Sequence, residues 1–249
     1  MTTTRLDGRV TAVTGAELPL ARGLALALGR AGASVALLGD AHELAPAVAD
    51  LEAADARAAA ISADWSSRDS ADDALGLVAD ALGPINVLLH AATPTIAFEQ
   101  CDFADVDDAR FEAVWEMSLR GTLFLLQAAF PHLRGRDGRV LLVTPTVSMS
   151  GAARLVPYTV AVEAQRVLIK AAARQWGPDG ITLNCVAPAP EHVPIGVEST
   201  TVSLAPAALG GPGDAEQDLG PLAVFLASDA SHFVTGATIS ADGGVWMAP

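Results

Sequence analysis

Short apolar runs alternate with longer segments of helical period along the whole chain. This alternation is typical of βαβ units, in which helices cover both faces of a parallel sheet. The apolar runs predict seven strands, at residues 10–14, 34–38, 58–62, 85–89, 139–144, 181–186 and 237–240. Helices are expected to begin near Pro19, His42, Ser67, Asp105, Val156 and Ala215, and the fourth, which ends near Leu133, is expected to be the longest. Seven strands fit one sheet, so the pattern predicts a single α/β domain over residues 1–249.

The segment 191–216 departs from this pattern, because it has few charges and no clear period. Its chain-breaking residues are Pro194, Pro206, Pro212, Gly196, Gly210, Gly211 and Gly213. In open α/β sheets, ligands bind at loops that follow the carboxyl ends of the strands. The segment is therefore interpreted as a substrate loop, either a lid or a flexible remnant of one.

Composition excludes several classes of protein. Hydrophobic residues make up 51% of the chain and charged residues 18%, which is typical of an ordered globular protein. The net charge of −14 argues against nucleic acid and anionic membranes as partners. Cys101 and Cys185 are too few for a disulfide framework or a zinc site, and the histidines show no metal-ligand spacing. No apolar signal core or long apolar run is present, so we expect a cytoplasmic protein that does not span a membrane.

Several short motifs, in this order and at these separations, resemble the short-chain dehydrogenase/reductase family over essentially the whole chain. They are Thr14-Gly15-Ala16, Ala63-Asp64, Val87-Leu88-Leu89, Gly138-Arg139-Val140, Gly180-Ile181-Thr182-Leu183-Asn184, Phe225-Leu226-Ala227-Ser228-Asp229, Val234-Thr235-Gly236 and Asp242-Gly243-Gly244. The resemblance implies a Rossmann-type doubly wound domain, with a seven-stranded parallel sheet in the order 3-2-1-4-5-6-7.

Active members of that family carry an Asn-Ser-Tyr-Lys set. The tyrosine transfers the proton, the lysine lowers its pKa and holds the ribose, the serine orients the carbonyl, and the asparagine anchors a water of the proton relay. The resemblance places these four positions on Ser118, Pro145, Tyr158 and Val162. Only the tyrosine is retained, so no catalytic residue is expected on this chain.

Each loss has a separate physical consequence. A phenol has a pKa of about 10 and needs a nearby cation to act at neutral pH, which Val162 does not supply. Lys170, the only lysine, follows Tyr158 by twelve residues, or about 18 Å of helix rise, and cannot substitute. Pro145 has no donor with which to orient a carbonyl. The hydroxyls nearby, which could replace the serine only if the fifth strand or its loop shifted register, are Thr144, Thr146, Ser148 and Ser150. Tyr158 is therefore expected to be a relic whose ring packs and whose hydroxyl makes an ordinary hydrogen bond.

The glycine-rich loop of the family is also altered. The Thr-Gly-x-x-x-Gly-x-Gly pattern, which lets a pyrophosphate approach the backbone, retains Gly15 but has Pro19 and Ala21 at the later glycine positions. The carboxylate of Glu17 would lie beside the pyrophosphate, would occupy the helix N-terminus in place of the anion, or would be a solvated loop residue.

Other positions near the expected cofactor match the motifs of the family only in part. The Asn-Asn-Ala-Gly segment of the family is His90-Ala91-Ala92-Thr93 here, and its Pro-Gly is Pro188-Ala189. His90 could be a base, but a lone histidine is more often structural. Asp64 matches the aspartate that contacts adenine. Asp40 lies one residue past the ribose-selecting position and is interpreted as a helix cap in preference to a ribose contact. Gly15, Asp40 and Asp64 are thus vestigial, and no cofactor is expected on this chain.

These losses favour a catalytically inactive homologue that acts as a structural or regulatory subunit. The family includes hetero-oligomeric dehydrogenases that pair an active with an inactive homologous chain, of the hydroxybenzylsuccinyl-CoA dehydrogenase type. By this resemblance, we expect a heterodimer or heterotetramer in which an active partner subunit carries NAD(H). The expected contact residues on the long helices and the C-terminus are Leu123, Phe124, Leu126, Leu168, Ile169, Val245, Trp246 and Met247.

Two other functions remain open. One is an enzyme with non-standard chemistry on the same fold. The halohydrin dehalogenases resemble the family in this way, but they keep the serine and tyrosine and use arginine at the lysine position, which Pro145 and Val162 do not match. The other is a regulatory module that binds a small ligand in the vacated cofactor pocket, with the segment 191–216 as its lid.

Overall fold

A computed structural model describes residues 4–194 and 206–247. Its centre is one parallel seven-stranded sheet in the order β3-β2-β1-β4-β5-β6-β7, as predicted. The strands are β1 Val10–Thr14, β2 Ser34–Gly39, β3 Ala58–Ser62, β4 Ile85–His90, β5 Arg139–Val143, β6 Thr182–Pro188 and β7 Thr238–Ala241. The helices are α1 Pro19–Arg30, α2 Ala41–Ala53, α3 Arg68–Leu82, α4 Asp108–Trp115, α5 Gly121–Leu133, α6 Thr146–Ser150, α7 Val156–Trp176 and α8 Gly220–Ala227.

Alternate residues of the strands face two separate cores. On one face, Leu88 of β4 packs with side chains of α3, α5 and α7. On the other, the neighbouring Leu89 packs with side chains of α1, α2 and α8. Because both faces are covered, the central strands are apolar at nearly every position, and this is why they were predictable as continuous runs.

The fourth predicted helix differs in detail from its prediction. It begins at Asp108 instead of Asp105, because the carboxylate of Asp107 caps it by accepting a hydrogen bond from Arg110 N at 3.0 Å. Between α4 and α5 the chain forms a π-helical turn, Glu116–Arg120. The helical stretch therefore continues to Leu133 as predicted, but α7 is the longest uninterrupted α-helix.

The predicted substrate loop is only partly described. Pro190–His192 form a 3-10 turn, and a π-helical turn over Ala215–Leu219 leads into α8. Residues 195–205 of the loop lie outside the described residues, so its interpretation as a lid stays a prediction. Within the described ranges, no helix is long and apolar enough to cross a membrane, and no cluster of side chains suits a metal ion.

Candidate active site

Tyr158 is enclosed by apolar side chains in the first turn of α7. Only 1% of its surface is exposed, and the ring of Phe98 packs against it at 5.5 Å between centroids. The hydroxyl has no hydrogen-bond partner among the described residues. The expectation of an ordinary hydrogen bond is therefore wrong, because the groups around the hydroxyl are apolar. Burial raises the pKa of Tyr158 far above its usual value, so the phenol stays protonated.

No cation lies at the lysine position. Val162, one turn beyond Tyr158, is buried in the same apolar cluster. Lys170 is exposed to solvent near the other end of α7, as its spacing predicted. Tyr158 is thus without the charge that would lower its pKa.

The serine position offers no substitute hydroxyl. Pro145 is buried and precedes α6 directly. Three of the nearby hydroxyls make local bonds: Thr146 with Pro188 O at 3.1 Å, Ser148 with Glu163 Oε1 at 2.8 Å, and Ser150 with Val147 O at 3.0 Å. The fourth, Thr144, is buried beside the Cys185 thiol. Because the Tyr158 hydroxyl is itself unpaired, none of the four contacts it through a hydrogen bond.

Ser118, at the asparagine position, lies in the π-helical turn. Its backbone carbonyl accepts hydrogen bonds from Thr122 Oγ1 at 2.7 Å and from Gln165 Nε2 at 3.1 Å. Both donors are buried side chains. The sequence analysis missed them, although Gln165 carries a usable signal: it is a polar residue on the apolar stripe of α7 that includes Tyr158 and Ile169.

His90 is structural. Its Nδ1 lies 2.6 Å from Thr14 Oγ1, its Nε2 lies 2.8 Å from Thr122 Oγ1, and Trp65 packs edge-on against the ring. Complete burial lowers the pKa of His90 to about 4. A neutral ring held between two hydroxyls at both nitrogens has no free nitrogen with which to act as a base.

The glycine loop is shaped by close backbone contact. Gly15 has a positive φ of 82°, and a Cβ there would lie 2.7 Å from the backbone of Ala91 and Ala92. Leu18 occupies the N-cap position of α1, and no side chain caps the helix. Of the alternatives for Glu17, occupation of this N-terminus is therefore excluded.

The Glu17 carboxylate lies against Gly39 instead, at the end of β2. A Cβ on Gly39 would overlap it. Burial, and then the nearby carboxylates of Glu43 and Asp40, raise the pKa of Glu17. The end of β2, where the family selects its ribose, is thus occupied by a side chain of the protein.

Asp40 and Asp64 stand beside this contact. Asp40 caps α2 by accepting a hydrogen bond from His42 N at 2.8 Å, which confirms its interpretation as a cap. Asp64 accepts one from Ser66 N at 2.5 Å, and such bonds hold the pKa of Asp64 below its usual value. Gly39, Asp40 and Asp64 line an open cleft of about 560 Å³ between the ends of β2 and β3 and helix α3.

The space between the glycine loop and β5 is closed. A void of about 10 Å³ remains there, which has room for about one water. Its walls are Leu18, Leu20, Ala21, Ala91, Thr93, Val143, Pro145, His192 and Val193.

The predicted contact residues on the long helices divide between core and surface. Leu126 and Ile169 are buried in the core on the α3, α5 and α7 face, and Phe124 is partly buried against that core. Leu123 and Leu168 line two adjoining clefts of about 530 and 410 Å³, which together form the outer groove between α4–α5 and α7.

The outer groove is lined mainly by apolar and small side chains. Val167 is 64% exposed at its wall, and Trp115 and Leu119 lie opposite on the α4–α5 side. At the C-terminus, Val245 is buried and Met247 is exposed.

The sequence and the fold are similar to those of known dehydrogenases. A family model described as Enoyl-(Acyl carrier protein) reductase matches residues 15–246. L-rhamnose 1-dehydrogenase (NAD(P)(+)) of Sphingomonas sp. (strain SKA58) is 30% identical, over 97% of this chain and 98% of that protein. 2-Dehydro-3-deoxy-D-gluconate 5-dehydrogenase of Escherichia coli (strain K12) is 26% identical, over 98% and 97%.

A solved structure gives the same result. The crystal structure of a putative short-chain alcohol dehydrogenase from Sinorhizobium meliloti 1021 superposes with a TM-score of 0.85 at 28% identity, over 97% of this chain and 98% of that one. With the sheet order and the family match over nearly its full length, the chain belongs to the short-chain dehydrogenase/reductase family.

Proposed function

We propose that this chain is a catalytically inactive family member that serves as a structural or regulatory subunit of a hetero-oligomeric, NAD-dependent alcohol or hydroxyacyl-CoA dehydrogenase. The observation that carries the proposal is the enclosure of Tyr158. Its hydroxyl is buried without a partner, and the side chain one turn later is Val162 in place of a cation. A phenol in this environment neither donates a proton to a substrate nor receives one at neutral pH.

Two features of the geometry support the proposal that this chain holds no dinucleotide. The void between the glycine loop and β5 holds about one water, and the Glu17 carboxylate occupies the contact above Gly39. A bound phosphate there would face the carboxylates of Glu17, Asp40 and Glu43. NAD(H) in the proposed complex is therefore held by an active partner subunit.

The outer groove supports a partner role. Val167 is 64% exposed where α7 meets the α4–α5 stretch, and Trp115, Leu119 and Leu123 line the same groove. Contiguous apolar surface of this kind marks protein–protein contacts. The partner proposed is a homologous chain with the complete Asn-Ser-Tyr-Lys set, in a heterodimer or heterotetramer.

Purification of the chain from its native host at natural abundance tests the assembly. The proposal expects a second homologous chain with the complete set at a fixed stoichiometry. A stable oligomer of this chain alone, with no such partner, would contradict it.

A second candidate is favoured by the open cleft of about 560 Å³ beside Asp64. Its volume lies in the range of small-molecule sites, which suits a regulatory module that binds a small ligand. Thermal-shift screening against metabolites tests this function, because a ligand at a hundred times its Kd adds about 2.7 kcal/mol of stability.

A further inference from the structure

The π-helical turn Glu116–Arg120 breaks the regular helical bonding pattern around Ser118. The carbonyl of Ser118 receives two buried side chains, Thr122 at 2.7 Å and Gln165 at 3.1 Å. Gln165 Nε2 also lies 2.7 Å from Thr122 Oγ1, so the two donors are bonded to each other. This arrangement ties α7 to the turn.

From Thr122 Oγ1 the hydrogen bonds continue through His90 to Thr14, at the ends of β4 and β1. Thr14 Oγ1 accepts backbone N–H bonds from Ala91 and Ala92, which leaves its proton for His90 Nδ1. Since the proton of Thr122 goes to the Ser118 carbonyl, His90 Nε2 donates to Thr122. The result is a buried set of hydrogen bonds from the ends of β1 and β4 to α7, in which His90 Nε2 and Gln165 Nε2 both donate to Thr122 Oγ1. We call these four side chains, Thr14, His90, Thr122 and Gln165, the polar strut.

The other side of the π-helical turn forms part of the outer groove. Leu119 and Arg120 line the groove next to Val167 of α7, and the neighbouring Met117 is 52% exposed. The turn therefore contacts the polar strut through Ser118 and faces the surface with Met117, Leu119 and Arg120. A change of the turn to regular α-helix would rotate its surface side chains relative to α7.

We infer that Gln165 and Thr122 are positioning residues for the outer groove, and that the former catalytic centre now works as the internal support of this surface. The strut fixes the π-helical turn, and the turn fixes which side chains the groove presents. The identity of the docking partner rests on the proposed function, whereas the coupling between strut and groove does not.

Hydrogen–deuterium exchange of the wild-type chain gives a first test without any substitution. Buried, mutually bonded polar groups act as one cooperative unit. The amides of residues 118–123 are thus expected to be as protected as those of Leu88 and Leu89 in β4. Exchange at 118–123 at least a hundredfold faster than in β4 would overturn the inference.

Substitutions provide the second test. Gln165→Met and Thr122→Val keep the shape of the side chains but remove the donors, and each is expected to raise exchange at 118–123 at least tenfold. Thr122→Ser keeps the hydroxyl and should restore wild-type exchange. Gln127→Met is the matched control, because Gln127 lines the groove but lies outside the strut.

Unchanged exchange in folded Gln165→Met and Thr122→Val, or an equal rise in Gln127→Met, would contradict the inference. The two proposals fail in different ways. Turnover or NAD(H) binding by the chain would contradict the inactive-subunit proposal but not the inference about the polar strut. Unaltered exchange would contradict only the inference about the polar strut.

Discussion

At the scale of single residues, Tyr158 keeps its place in α7, but its hydroxyl has no hydrogen-bond partner among the described residues. An unpaired buried hydroxyl costs about 1–3 kcal/mol, because it gives up its bond to water and receives nothing in return. The protein therefore bears a cost at this position that the tyrosine ring must offset by packing against Phe98 and Val162.

Removal of that hydroxyl should be harmless. Tyr158→Phe is expected to leave the free energy of unfolding unchanged or to raise it by about 1 kcal/mol, as measured by urea denaturation. Tyr158→Ala, which also removes the ring, should cost about 3–5 kcal/mol. A loss of more than about 1 kcal/mol in Tyr158→Phe would show that the hydroxyl is bonded after all.

His90 predicts how stability changes with pH. Its folded pKa of about 4 lies below the unfolded value of about 6.5, so between these values the unfolded chain binds more protons. Stability contributed by neutral His90 is present above about pH 6.5 and is lost as the pH falls toward 4, by about 3 kcal/mol in total.

Urea denaturation between pH 7 and 4.5 measures this effect. His90→Asn removes the titrating group, and its stability should fall less steeply with acid than that of the wild type. If the free energy of unfolding fell equally with pH in the two proteins, His90 would not be the cause of the acid destabilisation.

At the scale of the elements, the contact between β1 and β4 depends on Gly15. A Cβ at this position would overlap the backbone of Ala91 and Ala92, which cannot move without breaking the strand pairing. Gly15→Ala is therefore expected to lower the free energy of unfolding by more than 2 kcal/mol, on the order of a severe backbone clash. Gly8→Ala is the control, since Gly8 also has a positive φ but has open space around it. An equal loss of unfolding free energy in the two variants would show that the positive φ alone causes it, and would contradict a clash with Ala91 and Ala92.

Some features at this scale could be predicted from the sequence, and others could not. The runs Val10–Thr14 and Ala58–Ser62 were placed correctly. Val10–Thr14 is buried at every position, and a strand covered on both faces is mostly apolar. The π-helical turn was missed because one extra residue in a turn barely disturbs the helical period. The bonds among His90, Thr122 and Gln165 join positions far apart in the chain, and no local pattern reveals them.

The candidate site was predictable in a similar, partial way. The absence of a cation at Val162 and of a donor at Pro145 followed directly from residue types. The contact of Glu17 with Gly39 and the missing partner of Tyr158 did not, because each depends on how separate segments pack in three dimensions.

At the scale of the whole molecule, the outer groove is the surface on which the proposed assembly depends. Val167→Glu places a charge at the groove and should reduce the recovered partner chain at least tenfold in native-host purification. Because Val167 is exposed, its substitution should change stability by no more than about 0.5 kcal/mol. Leu77→Glu is the control, since Leu77 is a similarly exposed apolar residue on α3, away from the groove. Full recovery of the partner with Val167→Glu would contradict the use of this surface.

The central claim is that the chain has given up its own cofactor and chemistry while the fold of the family persists. Calorimetric titration of NAD+ and NADH into the isolated chain tests it most directly, with a family member that has the complete glycine loop as the positive control. The account predicts no saturable binding below about 1 mM, because the Glu17 carboxylate lies against Gly39 and the void between the glycine loop and β5 is only about 10 Å³. Micromolar binding of either form would contradict it.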